Sequence, residues 1–162
     1  MKTSPILKCL LVASLLSLGG IACAAVPMSA LNPDVRAETI EQTICTHGYT
    51  RDVRPSTSYT NGVKFKLMRE QGLDSSSSAD YELDHIIPLA LGGHPRSLSN
   101  LMLQPWEGKD SAKRKDRLEV KLQCLVCSGQ VGLDEARQVI YEDWQGAYHR
   151  YAQTKCHRER QR

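Results

Sequence analysis

Asp84 and His85 are adjacent in the chain, flanked by Leu83 on one side and Ile86-Ile87 on the other. A carboxylate is a hard oxygen donor suited to Mg²⁺ or Mn²⁺. An imidazole, whose unperturbed pKa is ~6.5, can take a proton from water near neutral pH. The dipeptide alone is common, and a surface histidine is usually inert. Position raises its weight here, because Gly92-Gly93, Asn100 and a basic run follow in order. That run is Lys109, Lys113, Arg114, Lys115, Arg117 and Lys121. Lys113, Arg117 and Lys121 recur every four residues, so they line one face of a helix and could contact phosphates. The plainer reading is a solvated face balanced by Asp110, Asp116 and Glu119. His47, His94 and His149 have no convergent neighbours in the sequence and are read as non-catalytic.

The elements that must position the pair follow from periodicity. Arg54-Pro55-Ser56-Thr57-Ser58 carries helix-start chemistry, and Tyr59, Val63 and Leu67 share one face, so a helix is expected over about 59–71, stopped by Gly72. Residues 74–80 read as a polar loop. Tyr81 to Leu89 is aromatic and β-branched enough for a strand, ended by Pro88. Gly92 to Arg96 is a turn, and Leu98 to Leu103 can pair back as a second strand. After Pro105, residues 110–124 have helical composition, broken by Gly129 and Gly132. A last helix is expected over 133–151, its Ala136, Val139, Ile140, Trp144, Ala147, Tyr148 and Tyr151 forming a core stripe rather than a site. The order is helix, hairpin, helix, helix.

A family resemblance lies in these residues. Tyr81-Glu82-Leu83-Asp84-His85-Ile86-Ile87-Pro88-Leu89-Ala90-Leu91-Gly92-Gly93, then Ser99-Asn100-Leu101, then Ala112-Lys113-Arg114-Lys115-Asp116-Arg117-Leu118-Glu119, resembles the HNH endonuclease motif in order and approximate spacing. Thr43-Ile44-Cys45, Val53-Arg54-Pro55, Ser58-Tyr59-Thr60-Asn61 and Val126-Cys127-Ser128-Gly129 resemble the flanks of small exported bacterial proteins of that group. The resemblance implies an α+β fold with a ββα-metal (HNH, His-Me finger) core and flanking helices. It implies one divalent metal, Mg²⁺ or Mn²⁺ with Zn²⁺ or Ni²⁺ as alternatives, held against a scissile phosphate. In that scheme Asp84 is a metal ligand, His85 the general base for the attacking water, and Asn100 the residue that holds the His-bearing loop. The scheme's third position, on the helix about three residues before Lys115, is Ala112, which cannot bind metal. Glu82 and Asp110 are the candidate replacements, Glu82 because it shares a strand face with Asp84, and Glu119 is a weaker one. Lys113, Lys115, Arg117 and Lys121 are the expected nucleic-acid contacts.

Composition bounds the setting. Met1 to Ala24 has Lys2 and Lys8, an apolar run from Cys9 to Leu18 and a small-residue end, the pattern of a secretory signal. A lipoprotein leader ending at Cys23 is the rival, but Gly20 suits it poorly. Without that segment the excess of 21 basic over 18 acidic residues nearly vanishes. The asymmetry remains: residues 25–108 hold 7 basic and 10 acidic groups, and residues 109–162 hold 12 and 8. No other apolar run approaches the ~20 residues that span a bilayer.

The domains expected are 1–24 signal peptide, 25–42 a loose start, 43–152 the nuclease-like domain and 153–162 a basic, flexible tail. Cys45, Cys124, Cys127 and Cys156 remain after export, which favours two disulfides in one of three connectivities over a zinc site built on the Cys124/Cys127 spacing. The expected protein is thus a periplasmic or secreted endonuclease acting on DNA with weak sequence preference. Two rivals remain, a decayed scaffold that binds nucleic acid without cutting it and a disulfide-braced envelope protein in which the Asp-His pair is incidental.

Overall fold

The computed structural model describes residues 25–157; the expected leader over 1–24 and the last five residues lie outside them. Ser56, whose hydroxyl accepts from the Tyr59 amide, caps a helix at Thr57–Glu70 (α2), two residues longer at its start than the periodicity indicated. A shorter helix, Tyr49–Val53 (α1), precedes it and ends before Pro55. Tyr81–His85 (β1) and Leu101–Pro105 (β2) pair antiparallel, with Asp84 opposite Met102 and His85 opposite Leu101. Ala112–Cys127 (α3) and Leu133–Tyr151 (α4) complete the α+β architecture. α4 breaks at Asp143 (φ −155°, ψ 80°), whose carboxylate accepts from the Gly146 amide at 2.9 Å and restarts the helix.

The hairpin differs from its expected bounds for a reason that bears on the site. Ile86 and Ile87 are β-branched but leave the strand, because Asn100 captures the backbone there. Its Oδ1 accepts from the Ile87 amide at 2.8 Å, and its Nδ2 donates to the Ile87 carbonyl at 3.0 Å and the His94 carbonyl at 3.1 Å. Gly93 lies in this loop against the Ile87 carbonyl, where an added Cβ would sit 1.7 Å from the oxygen. Only glycine fits that approach. His94 is a turn residue, its Nδ1 accepting from the Arg96 and Ser97 amides.

Leu118, Leu122, Leu125 and Val126 of α3 pack against Ala136, Ile140, Ala147 and Tyr151 of α4. Each large aliphatic so buried contributes ~1.5–3 kcal/mol. Ala30 and Val35 join the same core, so residues 25–42 are packed rather than loose. Buried Arg137 fastens them, donating from Nε to the Leu91 carbonyl (2.8 Å) and from Nη2 to the Val35 carbonyl (3.0 Å).

Two disulfides join Cys45 to Cys127 and Cys124 to Cys156. Cys124 and Cys127 therefore belong to different bridges, and a zinc site on their spacing is excluded. The bridges mark an oxidising, extracytoplasmic environment. No helix among the described residues is long and apolar enough to cross a membrane. Cys156 and the Gln130 side chain, which bonds the Lys155 carbonyl and the His157 amide, hold the start of the expected flexible tail.

Cys45–Cys127 closes a segment with sequence separation 82. Removing it as the Cys45→Ser/Cys127→Ser double variant should cost about 4–5 kcal/mol and lower Tm by about 10–20 °C. Calorimetry showing no loss would mean that α1 is held to α3 by packing alone.

Candidate functional site

Strand alternation places Glu82 and Asp84 on one face of β1, and that face is covered by α3. Between them a cleft of about 200 Å³ is lined by Arg54 at the end of α1, Glu82, Asp84 and His85 of β1, and Asp116 and Glu119 of α3. Lys115, buried at 1% exposure, is bonded to two of these lining carboxylates from inside the protein. Its ammonium donates to Asp84 Oδ2 at 2.8 Å, to the His85 carbonyl at 2.7 Å and to Glu119 Oε1 at 2.5 Å. Three donors meet three acceptors, which is the full capacity of an ammonium. Burial alone would lower its pKa, but the paired carboxylates outweigh it and the net direction is upward.

His85 is buried, and its Nε2 lies 3.1 Å from the Pro95 carbonyl. A carbonyl only accepts, so Nε2 carries the proton and Nδ1 is left with a lone pair. Desolvation pushes the imidazole pKa below its ordinary value, with Arg54 and Lys115 adding to the effect against opposition from the Pro95 bond and Asp84. The ring is therefore neutral at physiological pH and able to accept a proton.

The carboxylates crowd each other. Burial, followed by repulsion from Asp84, Asp116 and Glu119, raises Glu82 to about 7. Glu119 is also raised, burial outweighing the pull of Lys115, and Asp116 is raised by burial and by Asp84. Glu82 Oε2 is buried with no hydrogen-bond partner. An orphaned carboxylate oxygen among like charges is the signature of a place where a positive group is wanted.

The structure thus brings together Glu82, Asp84 and His85, with Asn100 behind them, but it does not bring in Asp110. Asp110 is absent from the cleft lining; its carboxylate accepts from Gln145 at 3.3 Å and its carbonyl from Gln104 at 3.1 Å. Lys115, expected as a phosphate contact, is corrected to a buried structural cation, because its hydrogen bonds are all spent inside the protein. Lys121 donates to the Thr154 carbonyl at 2.7 Å and ties the C-terminal segment to α3. Lys113 pairs with Glu107, and Arg117 lies 6.0 Å from the Tyr148 ring centroid, with Arg114 closer at 4.6 Å. Of these cations Lys113 and Arg117 remain at the surface.

The sequence reading passed over Arg54 and Asp116 as site residues and underrated Glu119. A signal for Lys115 existed, since with Leu118, Leu122 and Leu125 it falls on the core face of α3 at helical spacing. Its partner Glu119 is one turn on, the ordinary arrangement of a helical ion pair. Arg54 carried no such signal, because α1 meets β1 only through the tertiary fold. Among the described residues no three His, Cys, Asp or Glu side chains are already disposed to hold a metal ion. No family model, no curated protein and no solved structure matches this chain.

Lys115→Met should cost about 3–5 kcal/mol at pH 7, because it leaves Asp84 and Glu119 buried without their cation; the denaturant midpoint measures this. A variant as stable as the parent would show that the carboxylates had found another partner. The pH dependence has a definite sign. Glu82, raised in the fold to about 7 from 4.5, is bound to a proton in the native state where the unfolded chain has lost it. Stability in EDTA should therefore fall as pH rises from about 5 to 8, by on the order of 1–2 kcal/mol after solvent screening at the half-buried Glu82. Glu82→Gln should reduce that slope, the raised Glu119 and Asp116 carrying the remainder, and an unchanged slope would assign it wholly to them.

Proposed function

We propose that this protein is an exported, metal-dependent endonuclease that hydrolyses phosphodiester bonds in DNA, its β1–β2–α3 unit acting as a ββα-metal core of the HNH type. The observation that carries the reading is the neutral His85, its Nε2 tied to Pro95, lining one cleft with Glu82, Asp84 and Arg54. The oxidising environment marked by the two disulfides is consistent with a periplasmic or secreted site of action.

The donor set fits a hard divalent cation. Mg²⁺ is commonly held by one or two carboxylates, with water and substrate phosphate oxygens completing its shell, so a ready group of three side chains is not required. The carboxylates of Glu82 and Asp84, which line the cleft together, would hold it. When bound, such a cation supplies positive charge opposite the negative charge that develops on the phosphate and the leaving oxygen.

The protein's own residues do the rest. His85 Nδ1 accepts a proton from the attacking water as the water oxygen bonds to phosphorus and the bond to the leaving oxygen breaks; that oxygen then takes a proton from solvent. Asn100 holds the turn after His85, keeping the ring against Pro95. Among the described residues Arg54 has no hydrogen-bond or ion-pair partner, and its guanidinium could neutralise a phosphate oxygen. Lys115 holds the Asp84 carboxylate in a fixed direction through Oδ2.

One observation favours a second reading, a scaffold that binds nucleic acid without cutting it. Ala112 at the family's usual ligand position is fully buried, and Lys115 already neutralises part of the carboxylate charge.

Purified protein should cleave plasmid DNA with Mg²⁺ or Mn²⁺ and stop in EDTA. His85→Ala should lose roughly 10²–10⁴-fold in rate, and Arg54→Ala roughly 10²-fold. Equal rates for His85→Ala and the parent would sink the mechanism, whereas salt-dependent binding without cleavage under any metal would select the second reading.

A further inference from the structure

The Pro95 carbonyl that holds His85 Nε2 at 3.1 Å belongs to the same peptide unit as the Arg96 N–H, which donates to His94 Nδ1 at 3.1 Å. One planar group therefore links two imidazoles, His85 on its oxygen side and His94 on its nitrogen side. His94 Nδ1 also accepts from the Ser97 amide at 3.0 Å, so it carries no proton. The donors all point one way, from His85 through the peptide to His94, an order in which each bond polarises and strengthens the next.

Few variables set the direction of that carbonyl. The proline ring holds φ of Pro95 at about −65°, so the plane of the following peptide turns on ψ of Pro95 alone. The peptide is trans, and its N–H and C=O point in opposite directions. Tying the Arg96 N–H to His94 thus aims the Pro95 oxygen away from His94 and at His85. His94 is itself firmly placed: its amide donates to the Ala30 carbonyl at 2.8 Å, and its carbonyl accepts from Asn100 Nδ2 at 3.1 Å. Arg96 is also held beyond the link. Its carbonyl accepts from the Tyr59 hydroxyl at 2.6 Å, and its guanidinium carbon lies 5.0 Å from the centroid of the Tyr59 ring.

We infer that His94, which touches no reacting atom, is a positioning residue for His85, acting through the Pro95–Arg96 peptide to keep the His85 proton on Nε2 and its Nδ1 free. The inference rests on the nuclease reading for what His85 does, but not for how His85 is held. The bond made by one ring nitrogen decides which nitrogen carries the proton. Without an acceptor at His94 the Arg96 N–H turns to solvent, ψ of Pro95 relaxes, and the carbonyl no longer stands over His85 Nε2. The imidazole then populates both tautomers, and the share protonated at Nδ1 has no lone pair there for the proton of a water. An asparagine at this position offers its amide oxygen to the same two amides, in the manner of an Asx turn.

Two measurements on the whole protein test this. Long-range ¹H–¹⁵N spectra of the ¹⁵N-labelled protein in EDTA, at one fixed pH, read the tautomer of His85. The parent should show Nε2 protonated and Nδ1 bare. His94→Ala, and His94→Leu, which fills the space without offering an acceptor, should move both His85 nitrogens toward averaged shifts, while His94→Asn keeps the parental pattern. With Mg²⁺ and plasmid DNA, His94→Ala should lower kcat about 10²-fold and change KM less than about twofold, and His94→Asn should restore most of the rate. A parental His85 pattern in His94→Ala and His94→Leu, or a parent protonated at Nδ1, would overturn the inference. Unimpaired cleavage by His94→Ala with the parental tautomer removes the positioning role and leaves the nuclease standing. A shifted tautomer in His94→Ala, in a protein whose parent cleaves with no metal, removes the nuclease and leaves the positioning role.

Discussion

A lysine ammonium sealed beneath a strand, with Asp84, Glu119 and the His85 carbonyl as its three acceptors, is the interaction on which the rest of this structure depends. It fixes α3 against β1, because a buried ammonium tolerates no displacement from its partners without an uncompensated charge. It also gives direction to both residues of the Asp-His pair, one through its side chain and one through its backbone. The crowding of Glu82, Asp116 and Glu119 around it follows, since one cation does not neutralise four carboxylates.

Asn100 plays the neutral counterpart on the other side of the hairpin. Its side chain takes both backbone groups of Ile87 and bonds the His94 carbonyl, while the Ile86 amide still donates to the Asn100 carbonyl, so the chain turns away after Ile86 rather than continuing as strand. Gly93 admits that turn by offering no Cβ. The disulfides and Arg137 then attach the outlying segments, α1 with Arg54 among them, to this frame. A buried cation, a pinned turn and cross-linked flanks together make a cleft whose side chains are held before any ligand arrives.

The hairpin, the last helix and the Asp-His pair were legible in the sequence because each is announced locally, by β-branched residues, helical periodicity or turn glycines. The packing of residues 25–42 was not, because Pro27, Asn32 and Pro33 look like loop and nothing local reveals that Ala30 and Val35 are covered from elsewhere. The basic run misled for a related reason. Charge in a sequence reads as surface, yet at Lys115 the helical phase and the partner on β1 overrode it, and at Lys121 the returning C-terminal segment did.

What the sequence determined by itself is the kind of chemistry on offer: a carboxylate and an imidazole in tandem, an amide to pin a turn, cysteines for an oxidising compartment, and acidic and basic halves. What only the tertiary structure decided is which charges face one another. Disulfide pairing, the meeting of Glu82 rather than Asp110 with Asp84 and His85, the approach of Arg54 and the burial of Lys115 all depend on residues far apart in the chain meeting in the fold. Local propensity acts over one or two turns of chain, while electrostatic and hydrogen-bond partners act over a few ångströms of space, and only folding converts one into the other.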